Sequence, residues 1–363
     1  MDEGVKLINE YKKANAALEP FAAADILMPA GKRTLSQWMK FANSLRLRLA
    51  IRVSMSAPDL ARAEVAKAMD ATAGGVLESA DETVAVSTES GYKNPLGTVN
   101  EGWGEVFMGA TMESVLVGYN DPRLNKYYSK AEGGDIKDEK GNLIIAERNK
   151  IAGTYKGVPQ GTGVTVKDEN RYRLHSKSTI TKQTDAILMT AAEVWFLRAE
   201  AALRGFTSEN VKDCYEKGIT VSCQQWGVNV GDYLTSDATP SDYVDAFEAK
   251  YDVKALIKVT PKWDGGASPE EQLERILTQK WIACYPEGYE AWTEQRRTGY
   301  PQLFKVFVNN SGGAIDTNIR IRRLPYPSDI QKNNPTQYSA LKKALGGEDN
   351  GGTRLWWDTG RNF

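Results

Sequence analysis

The sequence is short of the residues on which most catalysis and metal binding depend. A single histidine, His175, occurs in 363 residues, so a Ser-His-Asp or Cys-His centre would have to be built on that one imidazole. Its place between Leu174 and Ser176 in a strand-like run predicts an ordinary surface or hydrogen-bonded side chain. Cysteine is equally scarce. Cys214, Cys223 and Cys284 are too few and too odd in number for a disulfide framework, and none stands in a CxxC or zinc spacing. Cys214 and Cys223 read as members of one helix, about 13 Å apart along its axis and beyond bridging distance. No apolar run reaches the roughly 18 residues that a membrane-spanning helix needs. Met1 to Lys6 lack the basic, apolar and small-residue regions of a secretion signal, so the chain as given is expected to be soluble. Neither sign of charge prevails: 46 Lys and Arg face 47 Asp and Glu, a net charge of -1, which argues against nucleic acid and anionic membrane as partners. HExxH, GxSxG, EF-hand and GxxxxGK[ST] spacings are all missing, and Gly161-Thr162-Gly163 lacks the third glycine of a dinucleotide loop. No metal, no cofactor and no nucleotide is expected.

Helices are what the sequence has in abundance. Hydrophobic residues make up 41% of the chain, enough for a substantial core. In the stretch 271–304, Leu273, Ile276, Leu277, Trp281, Cys284 and Tyr285 recur at helical spacing, and Pro286 ends the run. A second, shorter helix then carries Tyr289, Trp292, Tyr300 and Leu303 interleaved with Glu290, Glu294, Arg296 and Arg297, and Gly299-Tyr300-Pro301 turns the chain. Upstream, residues 5–18 read as an amphipathic helix. Ser36 reads as the cap of the next, with Trp38, Phe41, Ala42, Leu45, Leu49 and Val53 as its buried stripe and Arg46, Arg48 and Arg52 facing water. Pro58 opens its partner and Gly74-Gly75 closes it. The alanine-rich run Asp185 to Arg204 predicts a further helix with Ile187, Leu188, Trp195 and Leu203 in its seam, and Thr207 or Ser208 caps the helix after it. Two hairpins of this kind, at about 5–74 and 185–226, point to a mostly α fold, a superhelical scaffold of tetratricopeptide-like (TPR-like) helical hairpins. An irregular region of loops and short strands, about 80–183 and 227–270, is expected to pack on it, with Asp138 to Gly141 as a turn before a strand.

Acids and rings remain to be assigned. Glu287, Glu290 and Glu294 share a helix face, as a glycosidase pair would require, but they alternate with arginines and read better as salt-bridged scaffold. Nine Trp and sixteen Tyr offer rings with polar handles, on which the C–H faces of sugars stack. Trp38, Trp195, Trp281, Trp292 and Trp356 read as core. Trp103, between two glycines, stands in the long Gly- and Asn-rich stretch with Tyr92, Asn94, Asn100 and Glu101, and Trp263 stands in a second loop. These six residues are the candidate ligand surface.

The residue order carries a resemblance. Gln279-Lys280-Trp281-Ile282-Ala283, Pro286-Glu287-Gly288, Glu290-Ala291-Trp292 and Glu294 to Pro301 resemble the C-terminal signature of the SusD/RagB family, surface-exposed nutrient-binding lipoproteins of the outer membrane. Trp38 to Ala50, Asp121-Pro122-Arg123, Tyr155 to Gly161, Ala191 to Gly205, Arg322 to Pro327 and Leu355 to Asp358 resemble it too. The resemblance implies one SusD-like domain over 1–363, with 271–363 as its signature region. It also implies a non-catalytic protein on the extracellular face of the outer membrane that binds starch-like or other oligosaccharides and delivers them to a SusC-like TonB-dependent transporter. Membrane attachment would come only through an N-terminal lipid anchor that, with some N-terminal helices, this chain is expected to lack. A helical-repeat adaptor for another protein and, further off, a glycoside hydrolase are the alternatives.

Overall fold

The computed structural model describes residues 1–163 and 171–363. Among these, twelve α-helices carry the architecture: α1 (Asp2–Ala14), α2 (Leu35–Arg52), α3 (Pro58–Met69), α4 (Pro95–Trp103), α5 (Ala110–Gly118), α6 (Leu124–Tyr127), α7 (Ala191–Leu203), α8 (Val211–Gln225), α9 (Pro269–Ala283), α10 (Gly288–Thr298), α11 (Ser328–Asn333) and α12 (Pro335–Leu345). Two small antiparallel ribbons complete it: β1 (Val84–Val86) with β4 (Ala186–Met189), and β2 (Ile136–Lys137) with β3 (Leu143–Ile145), joined by the expected turn at Asp138 to Gly141. The mostly α, hairpin-built scaffold is therefore as the periodicity implies. The X–Pro bonds at Pro286 and Pro301 are cis.

Two helical hairpins, α2/α3 and α7/α8, pack through α2 and α7, and α9 lies against α7 and α8. Local chemistry sets their limits. Ser268 caps α9 in a reciprocal capping box with Glu271, Pro269 occupies the first turn, and Pro58 does the same for α3. At the α7/α8 contact a Cβ on Gly218 would stand 2.8 Å from the Phe196 ring, so only glycine lets the two helices approach this closely. Ala191, Ala192, Ala199 and Ala201 of α7 are buried. Cys214 and Cys223 both lie on α8, and all three cysteines are free and buried.

Three local expectations fail. The cap of α2 is Thr34, which accepts the Gln37 N–H, and that of α8 is Asn210, which accepts the Asp213 N–H. Residues 186–189 form a strand, because they pair with β1 about a hundred residues earlier in the chain; α7 starts only after Thr190, and Leu188 is exposed. The buried face of α2 is Leu35, Met39, Leu47, Ala50 and Ile51, whereas Leu49 is exposed. Its arginines turn inward. Arg48 donates from Nε (2.7 Å) and Nη2 (2.5 Å) to Glu193 of α7, and Arg52 pairs with Glu290 of α10. Lys280 of α9 points its Nζ at Glu290 (3.1 Å), Glu294 (3.5 Å) and Glu193 (3.8 Å). Arg297 donates two bonds of 2.7 Å to Glu200 and one of 2.6 Å to Glu294, and Arg204 lies 2.7 Å from Glu200. Five cations and four carboxylates from α2, α7, α9 and α10 thus form one buried ionic seam. Such a seam fixes which helices meet, since any unpaired member would be a charge removed from water.

His175 also departs from expectation. It is 2% exposed, set between the rings of Tyr172 (5.1 Å) and Phe247 (5.9 Å), and neither ring nitrogen has a hydrogen-bond partner among the described residues. Burial, and after it the nearby Lys156 charge, pulls its pKa from 6.5 to about 3, so the imidazole is neutral. Between those values the unfolded chain takes up a proton that the folded chain refuses. Stability is therefore whole above pH 6.5 and declines as pH falls, by at most ~1.4 kcal/mol per pH unit from this group. Urea midpoints of the wild type and His175→Phe between pH 7 and 5 test this: the wild type should lose stability more steeply, and parallel curves would show that His175 is not held neutral.

Candidate functional site

The stretch that the sequence presents as an irregular loop contains a seated helix. Asn94 caps α4: its side-chain oxygen accepts the N–H groups of Leu96 (2.9 Å) and Gly97 (3.4 Å), its amide donates to the Thr184 carbonyl (3.0 Å), and it is 4% exposed. A turn further, a Cβ on Gly97 would fall 2.1 Å from the Thr181 carbonyl, so α4 lies directly on the backbone of residues 181–182. Asn100 then donates to the carbonyls of Ser178 (2.8 Å) and Ile180 (2.9 Å). Positions 94, 97 and 100 form one inner edge at a spacing of three, and all of it is occupied by the neighbouring strand-like segment. The side chains of Asn94 and Asn100 therefore hold the helix down.

The outer side is different. Trp103 ends α4 and is 66% exposed, with Gly104 beyond it in the left-handed conformation at φ 65°. Glu101 is exposed and lies 3.5 Å from Lys182, and Tyr92, two residues before the cap, is exposed as well. Lys177 places Nζ 3.7 Å from where a Cβ of Gly104 would stand and 5.8 Å from the centre of the half-buried Phe107 ring. Phe107 and Lys177 are neighbours of Trp103 that the sequence reading missed. Only the pairing of residues 107 and 177 across the fold brings them together.

Trp263, the sixth candidate, is half-buried. Its ring packs 5.1 Å from Tyr215 of α8, where it ties the loop before α9 to the main core. One ring assigned to the interior is instead outside, Trp356 at 69% exposed, and Tyr289 of α10 is 76% exposed as well. Trp38, Trp195 and Trp281 are half-buried against the main core, while Trp292, also half-buried, donates its indole N–H to the Ile321 carbonyl (3.1 Å).

The glutamates on α10 have no catalytic arrangement. Glu290 and Glu294 are held in the ionic seam, and their carboxyls stay below the ordinary range because the nearby Lys280 and arginine charges outweigh burial. Glu287 accepts the Glu290 N–H as the cap of α10. Among the described residues no group of three or more His, Cys, Asp or Glu is placed to hold a metal ion, and no helix is long and apolar enough to cross a membrane.

A hairpin scaffold with an ionic seam in its interior and one exposed indole at the end of a seated outer helix defines a protein of helical-repeat type. The chain belongs to the SusD-like family: the family model described as "Susd and RagB outer membrane lipoprotein" matches residues 1–358. A SusD homologue from Bacteroides vulgatus, known by crystal structure, is 49% identical with a TM-score of 0.89, over 100% of this chain and 70% of that one. A chitin-binding SusD homologue from Flavobacterium johnsoniae is 35% identical with a TM-score of 0.88, over 100% and 71%. One from Bacteroides thetaiotaomicron is 31% identical with a TM-score of 0.84, over 99% and 72%. A search of curated proteins returns no match. The family is one of outer-membrane lipoproteins whose homologues are non-catalytic, and the chain is a non-enzymatic member of it.

Proposed function

We propose that this protein captures glycans at the extracellular face of the outer membrane and delivers them to a SusC-like TonB-dependent transporter. The observation that carries the reading is Trp103, 66% exposed at the end of a helix fixed along its inner edge. A rigid, solvent-facing indole offers a stacking plane at little entropic cost, and Tyr92, Glu101 and Lys177 add a second ring and hydrogen-bonding groups. The α4 helix is about 13 Å long, which suits an oligosaccharide better than a single sugar. Starch-like chains fit such a surface, and the chitin-binding neighbour supports N-acetylated β-linked chains as a further candidate. An open surface of this kind binds each site weakly and gains affinity by avidity on a polymer.

Calorimetry with malto- and chito-oligosaccharides tests it. Trp103→Ala should weaken binding by about tenfold or more, as loss of a central aromatic contact does. Trp263→Ala should lower stability and leave affinity unchanged. Affinity that survives Trp103→Ala intact would remove α4 from the site.

A further inference from the structure

A second cavity lies between α10, the segment after it and the C-terminal residues, and its chemistry differs from that of the α4 surface. It encloses about 360 Å³ and is lined by six cationic side chains, Arg296, Arg297, Lys305, Arg320, Arg322 and Arg354, with no Asp or Glu lining it among the described residues. Three of the six are already neutralised. Arg297 is bound by Glu200 and Glu294, while Arg322 and Arg354 share Asp358. The other three have no carboxylate partner among the described residues. Arg296 is 7% exposed: it donates to the Arg322 carbonyl (2.7 Å) and to Thr293 Oγ1 (3.0 Å), its Nε has no partner, and its guanidinium lies 3.7 Å from the Trp292 ring centre. Burial and then the neighbouring Arg322 and Arg52 lower its pKa to about 10. Arg320 donates to Gln160 Oε1 (2.9 Å) and to the Phe304 carbonyl, from a backbone held at φ 63°. Lys305 is exposed, with Nζ 5.0 Å from the Phe307 ring centre.

A buried guanidinium without a counter-charge, as at Arg296, is a costly arrangement, and the two further unpaired cations at the same cavity, half-buried Arg320 and exposed Lys305, raise the local potential in favour of an anion. The neighbouring space narrows the choice of anion. Across Arg320, Gln295, Leu303 and Thr317, which line both, lies a largely apolar cavity of about 680 Å³ walled by Trp281, Trp292, Val306, Val308, Ile315 and Ile321, with the exposed Asp316 also in its wall. A ligand that fills both compartments carries an oxyanion on a body with an apolar face. We infer that this paired cleft binds an acidic sugar, its carboxylate or sulfate on Arg296, Arg320 and Lys305 and its C–H face against Trp292. Arg is suited to this because its planar fork matches an oxyanion's two oxygens. The inference extends the glycan reading above but does not use the α4 surface, so each can fail alone.

Calorimetry on the full chain with glucuronate, glucose and sodium sulfate tests it. Glucuronate should bind and glucose should not, and raising salt should weaken glucuronate, with sulfate acting as a competitor. The double variant Lys305→Gln, Arg320→Gln touches no buried ion pair and should weaken glucuronate by about tenfold, the loss expected from two charge-assisted contacts. Trp103→Ala should leave glucuronate binding unchanged, whatever it does to neutral oligosaccharides. Equal binding of glucose and glucuronate would overturn the inference. So would sulfate binding without glucuronate, which would mark a site for an inorganic anion only, and so would an unaltered double variant or silence from both sugars.

Discussion

Arg123→Met should lower the unfolding free energy by about 3–5 kcal/mol, the cost of stranding one member of a buried ion pair. Arg123 is fully buried. Its Nε and Nη2 grip Asp121 at 2.9 and 2.6 Å, Nη1 reaches Ser222 of α8 (2.9 Å), and Nη2 also reaches Gln279 of α9 (3.1 Å). Asp121 is 4% exposed and has no other cation at ion-pair distance among the described residues, so methionine would leave it with only the Arg123 backbone N–H and the Tyr233 hydroxyl as donors. Thermal or urea unfolding measures the loss. Adding Asp121→Asn should restore most of it, because removing both charges avoids the stranded carboxylate. A single variant within about 1 kcal/mol of wild type, the scale of a surface pair, would mean that the pair is not buried in solution.

Lys280→Met should cost less, about 3 kcal/mol, although three carboxylates converge on its ammonium. The difference lies in what remains: Glu193 keeps Arg48, Glu290 keeps Arg48 and Arg52, and Glu294 keeps Arg297. Burial disfavours the charged ammonium, yet Glu294, Glu290 and Glu193 outweigh it and hold its pKa above the ordinary lysine value. Without that ammonium the repulsion among the carboxylates raises at least one of their pKa values above the unfolded range. The folded variant then binds a proton that the unfolded chain does not, so its stability relative to wild type recovers as pH falls from 7 to 5. Urea midpoints at both pH values decide it. A deficit that stays constant or grows in acid would contradict carboxylate crowding as the cause.

These two clusters show how far the residue order reaches. Asp121-Pro122-Arg123 stands out in the sequence, but nothing in its neighbourhood says that it will be gripped by α8 and α9, because Ser222 and Gln279 lie 99 and 156 positions away. The arginines of α2 were expected in water for a similar reason. Spacing of apolar residues marks a helix, but it selects the wrong face when the true inner face is half charged, and Arg52 meets its carboxylate 238 positions later. The α4 helix was hidden by Gly97 and Gly102, whose low helical propensity masks a capped, proline-started segment. It forms because the glycine at 97 lets it sit on the backbone of residues 181–182, a contact that no local pattern encodes. Trp103 was legible as an unusual position because two glycines flank it; Asn94 and Asn100 looked equally available and prove to be anchors.

What the sequence determined by itself is therefore local: the helical hairpins and the proline start at Pro58. The family order of its segments was also plain. The tertiary structure alone decided which charged side chains go inside, which rings stay out, and where an apolar run becomes a strand. The physical reason is that burial of a charge or pairing of a strand is set by partners distant in the chain, and their free energy outweighs the small local preferences that a single sequence displays.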